Sequence, residues 1–226
     1  MSRQRTAAKQ IYSPGNCLIL VGIEKEPIEL PLVAIAKYPL LKQIVDLHSS
    51  PDSTSDLSLD TSIASKHFHA LREFLITGDY EPHLSDSGGI SCLKSVKRGS
   101  KEADHQVERC AAIWNLASRF EMDDLQQLIV EKLQALQPLN SLPIFFVATA
   151  LHRTTKQEGV PEERLRDWLS RQMADCFDAL MAEHGHLLSS TLGVDRQLKE
   201  QVYSLLARGD SAESEASRAE RNDDEP

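Results

Sequence analysis

"FHALREFLITGDY", residues 68–80, is the stretch whose reading decides the fold. Phe68, Leu71, Phe74 and Leu75 fall on one helical face, with Arg72 and Glu73 on the other. The spacing predicts an amphipathic helix that must bury one side. Gly78 follows where a helix ends in the left-handed conformation, which glycine alone adopts without steric cost.

Upstream, "CLILVG" at 17–22 is rich in branched residues and reads as a strand. A Glu-Lys-Glu-Pro turn follows, and Ile28-Glu29-Leu30 alternates as a second strand does. From Pro31 to Leu47 the apolar positions suit a helical face interrupted near Pro39, which predicts two short helices. "HSSPDSTSD" at 48–56 is a loop by composition, and "LSLD" at 57–60 reads as a short third strand.

Downstream, residues 84–105 show no periodicity and hold Gly, Ser and Lys in quantity, so a long flexible loop is expected. Val107, Cys110, Trp114 and Ala117 then lie at helical spacing. Leu125, Leu128, Ile129, Leu133 and Leu136 follow at steps of three and four, with Asp123 as expected N-cap, Gln126 as its capping-box partner, and Pro138 as the stop. "LPIFFVATAL" at 142–151 is apolar nearly all round and is expected to be buried. Pro161 suits a first helical turn, and the stripe from Leu165 to Met181 predicts one helix of five turns. A last helix, capped by Asp195, carries Leu198, Val202, Leu205 and Leu206.

The formal net charge is −9, and it is unevenly placed. The first ten residues carry +3 and residues 208–226 carry −4, which leaves −8 on the part between. An acidic body is a poor platform for phosphate backbones, so nucleic-acid binding is disfavoured. The longest apolar runs fall well short of the ~20 residues of a membrane span. No apolar-cored signal peptide opens the chain, so the expectation is a soluble intracellular protein of the cytoplasm or nucleus with reduced cysteines.

Several motifs invite a chemical reading. His67/His69 and His184/His186 have i, i+2 spacing, but no Cys or carboxylate set completes a metal site. Cys110 and Cys176 fall on apolar helical faces and read as small core residues. "SDSGGIS" at 85–91 lacks the Gly-Lys-Ser/Thr of a phosphate loop and reads as a linker. Lys94, Lys97, Arg98 and Lys101 form a basic cluster, read as a solvated loop face. Trp114 and Trp168 sit on apolar stripes and read as core. With no clustered acids, bases and nucleophiles, no catalytic residue, cofactor or metal is assigned.

Three segments carry a family resemblance. "CLILVG" with "PIELPLVAIAKYPLLKQIV", "LSLDTSIASKHFHALREFLITGDY" and "AAIWNLASRFEMDDLQQLIVEKL" together resemble BTB/POZ domains over about 17–136, in particular the divergent kind common in filamentous fungi. The last two segments are the specific ones. The third is similar to the family's V-Y-x-L-A-x-K-Y-x-M pattern, and the helices after Pro138 look like the extension of fungal members. The early His of the family's F-x-V-H-K string and the Asp that often begins its first strand are both absent here.

The resemblance implies an α+β, BTB/POZ-like domain at 11–136, short strands with a cluster of helices, followed by an all-α C-terminal region at 138–207. A disordered arm at 1–10 and a disordered acidic tail at 208–226 complete the expected organisation. It further implies a non-enzymatic protein–protein interaction module that binds protein partners. The partner class would be a cullin-type ubiquitin-ligase scaffold, reached through the Ile44-Val45-Asp46 string, where the family has hydrophobic-x-Glu. A homodimeric or homo-oligomeric scaffold is the alternative. Candidate partner-binding residues are Ile44, Asp46 and Leu47 after the first helices, with Phe120, Met122 and Asp123 in the turn between the paired helices. For Phe120 and Met122 simple burial is the competing reading.

Overall fold

The computed structural model describes residues 15–48, 64–87, 90–154 and 159–208. It is mostly helical, with two small antiparallel sheets of two strands each, broadly α+β. The chain divides into two compact units, with the boundary between Glu81 and Pro82. The expected third strand at 57–60, the arm at 1–10 and the tail from 209 onward lie outside the described residues.

In the first unit, β1 (Asn16–Val21) pairs with β2 (Glu26–Pro31), Ile19 opposite Ile28 and Cys17 opposite Leu30. Directly opposed residues share a face, so Ile19, Val21, Ile28 and Leu30 form one buried side. Gly22 and Lys25, both at positive φ, close the hairpin. The interruption at Pro39 separates α1 (Leu32–Ile35) from α2 (Pro39–His48), since proline ends one helix and begins the next.

The deciding stretch forms α3 (Ser65–Thr77), with Phe68, Ala70, Leu71 and Phe74 buried. Gly78 caps it at φ 81°, its N–H donating to the Phe74 carbonyl at 2.8 Å. The Thr77 hydroxyl donates to the Asp79 carbonyl at 2.7 Å, and the Tyr80 ring is buried. Arg72 Nε donates to the Glu29 carbonyl at 2.8 Å and joins α3 to β2.

The second unit opens with a hairpin where a flexible loop was expected. β3 (Leu84–Ser87) pairs with β4 (Ile90–Leu93), Leu84 opposite Leu93. Four-residue strands carrying Ser at three of their eight positions have too little periodicity to register in sequence; tertiary contacts hold them. Leu93 is buried, and Arg98 donates from Nε to the Ala135 carbonyl at 3.1 Å and from a terminal nitrogen to the Ser91 carbonyl at 2.9 Å. Arg98 therefore serves the fold and leaves the basic cluster.

α4 (Lys101–Arg119) packs against α5 (Asp123–Ala135) and α6 (Ser141–Thr154). Ser100 caps α4 by accepting from the Ala103 N–H. Trp114 is buried, and its indole N–H donates to the Thr154 hydroxyl at 3.1 Å. Lys132 is buried, its ammonium donating to the Pro82 carbonyl at 2.7 Å. Most of α6 is buried, but Leu142 and Phe146 remain exposed, so one strip of that apolar segment faces outward.

Two capping and continuity expectations are corrected. Met122, not Asp123, stands at the N-cap of α5, and Gln126 forms no capping box; its amide reaches the Glu162 carboxylate instead. The expected five-turn helix breaks at Cys176 into α7 (Val160–Asp175) and α8 (Phe177–Val194). Cys176 is half-buried at this junction and Met181 is exposed, so neither is core. A last helix, α9, occupies 196–208, its start capped by Asp195 Oδ1, which accepts from the Leu198 N–H at 3.0 Å.

Candidate interaction surface

The residues after the first helices lie on α2, whose buried side is carried by Leu41 and Val45. The opposite side follows the helical period. Pro39, Lys42, Gln43 and Asp46 stand at i, i+3, i+4 and i+7 and line a shallow groove of about 390 Å³. Asp46 is exposed and Ile44 is half-buried at the edge between the two sides. The side chain of Leu47 lies outside the described residues. This face offers an ammonium, an amide, a carboxylate and a partly apolar edge within two helical turns. Such a mixed, fixed surface suits a partner helix or loop and holds no nucleophile–base pair.

In the α4–α5 turn the competing reading, burial, is the one the structure shows for Phe120 and Met122. Phe120 and Met122 are each 0 % exposed and belong to the core. Glu121 adopts φ 52°, and the Met122 N–H donates to the Ala117 carbonyl at 2.9 Å, which folds the turn inward and takes both side chains with it. The apolar residues of this turn are therefore unavailable to a partner unless the turn opens. Of the three expected residues only Asp123 is exposed.

The other chemistry-bearing groups resolve into structural roles. His69 Nε2 lies 2.8 Å from Glu26 Oε1 and ties α3 to the start of β2. Hydrogen bonds from Ser65 and then His69 hold the Glu26 carboxyl below the ordinary glutamate range. His184 interrupts α8 at φ −138°, its ring edge-on to Phe145 at 6.0 Å. Among the described residues no group of three or more His, Cys, Asp or Glu is placed to hold a metal ion. Burial pushes the Cys17 thiol up, and burial followed by the neighbouring Asp175 pushes Cys176 up, so both are protonated at neutral pH. Among the described residues no helix is long and apolar enough to cross a membrane.

Sequence reasoning missed the buried Gln126–Glu162 contact. Both residues are polar at positions that a periodicity argument assigns to solvent, and only the meeting of α5 with the start of α7 buries them. It also singled out none of the charged residues of α7 that line a groove with α9. No family model matches the chain, and no curated protein or solved structure matches it either.

Proposed function

We propose that this chain is a non-enzymatic protein–protein interaction module of BTB/POZ type that docks a cullin-type scaffold through the exposed face of α2. The observation that carries the reading is the Pro39–Asp46 groove, in which the polar residues of one helical face stand free of the core beside the half-buried Ile44. Asp46 there supplies the carboxylate at the place where the resemblance calls for an acid. The order of elements supports it too: a β-hairpin, two short helices, the α3–Gly78 segment and then the paired α4 and α5. The inward Phe120 and Met122 confine the proposed contact to α2.

Affinity purification of the tagged chain from its native cells, with mass spectrometry, tests this. A cullin scaffold recovered with the wild type and lost with Ile44→Arg/Asp46→Arg is the expected result. Recovery of only the chain itself with both proteins would retire the adaptor reading in favour of a homo-oligomeric scaffold.

A further inference from the structure

α2 carries its charges in an order that its own helix disfavours. Lys42 stands in the first turn, which holds no acid, and Asp46 stands in the last. Aligned peptide dipoles leave a helix partly positive at its start and partly negative at its end, so both side chains face a like charge. The two are also reversed as an i, i+4 couple, because an acid N-terminal to the base is the better order. α4 and α5 keep the favoured order. α4 opens with Glu102 and Asp104 and ends with Arg119, and α5 opens with Asp123 and Asp124 and ends with Lys132.

Nothing offsets the reversal. Lys42, Gln43 and Asp46 are exposed, and among the described residues their side chains engage no hydrogen-bond or ion-pair partner. Both charges lie on the side turned away from the buried Leu41 and Val45, in the shallow groove that begins at Pro39. Four residues of helix set them ~6 Å apart along the axis. The order adds nothing to the fold, so its use lies in what the groove meets.

Charge order and backbone together define the occupant. A carboxylate must meet Lys42 and a cation must meet Asp46. The main chain of α2 is engaged within the helix, so a strand laid across it would find no backbone to pair with. An incoming helix brings its own main chain already satisfied, and its i, i+4 residues repeat the same ~6 Å spacing. An acid one turn before a base stabilises that helix itself and matches Lys42 and Asp46 when the two helices run parallel.

We propose that α2 docks a helix of the protein partner that carries an acidic residue one turn before a basic one, the acid facing Lys42 and the base facing Asp46. One cation and one anion add no net charge, so the pair sets register and direction in the contact. α2 keeps the reversed order for this contact with some loss of its own stability. The inference rests on the α2 docking reading and specifies what meets that face.

The test is the charge-swapped chain, Lys42→Glu/Asp46→Lys, which has the same net charge as the wild type. Thermal unfolding and isothermal titration with a purified cullin scaffold are run beside Lys42→Ala/Asp46→Ala. The swap moves each charge to its favoured end, so its thermal midpoint should rise by about 2 °C or more. Its affinity for the scaffold should fall at least about tenfold below wild type, with the neutral variant between the two. A swapped chain no more stable than wild type would overturn the claim of reversed charges. One that binds as tightly as wild type, or no more weakly than the neutral variant, would overturn the ordered contact. Those results leave the adaptor reading standing as long as the wild type binds; a wild type that binds no scaffold ends both.

Discussion

Gln126 and Glu162 meet inside the second unit, the Gln126 amide donating to Glu162 Oε1 at 3.2 Å with both residues buried. The contact clamps the start of α5 to the start of α7. Two polar side chains among apolar helices are tolerated only because each satisfies the other, so the cost of losing one exceeds the worth of the bond.

Replacing Gln126 by Ala should destabilise the protein by about 2–3 kcal/mol, because Glu162 is left without its partner. Glu162→Gln keeps an acceptor and should cost much less. Urea midpoints of the two variants check this; equal losses would mean that the contact contributes little.

A methyl group at Gly159 would stand 2.7 Å from Glu162 Oε2. The backbone there is extended and accepts any residue, so the obstacle is the carboxylate alone. Gly159→Ala should therefore destabilise wild type but do less harm beside Glu162→Ala. A double-mutant cycle in thermal midpoints reads the difference.

Gly78→Ala places a Cβ at φ 81° with open space around it, so its cost is conformational, roughly 1–2 kcal/mol. Gly78→Asn should recover part of that, since Asn tolerates the left-handed region. Denaturant unfolding of the three proteins orders them Gly, Asn, Ala.

The lowered Glu26 carboxyl makes the β2–α3 tie sensitive to acid. A depressed carboxylate contributes stability that is complete above its unfolded value and is lost as pH falls through the folded one. NMR titration should show Glu26 protonating below the ordinary glutamate range, and Ser65→Ala should move its midpoint upward. An unchanged midpoint in Ser65→Ala would remove Ser65 as the cause.

Where a single helix decides its own periodicity, the sequence was a good guide. The α3–Gly78 segment, the break at Pro39 and the Asp195 cap all follow from local rules. Where a partner element decides, the sequence was silent. The 84–93 hairpin depends on its docking against α5, and the stripe from Leu165 to Met181 ignores the turn that Cys176 introduces. Asp123 has the chemistry of an N-cap, yet the tight turn at Glu121 shifts the helix start by one residue. The candidate surface divided the same way. Asp46 is exposed because α2 is amphipathic by its own sequence, whereas the sequence left Phe120 and Met122 open between contact and burial, and the backbone at Glu121 turns both inward.

The central claim is that α2 presents a docking face, and isothermal titration of the purified chain with a purified cullin scaffold tests it most directly. Lys42, Gln43 and Asp46 are exposed, so substitutions there should leave the circular dichroism spectrum unchanged. The account predicts saturable binding by the wild type, weakened at least about tenfold by Asp46→Arg. No heat of binding, or equal binding by wild type and Asp46→Arg, would contradict it.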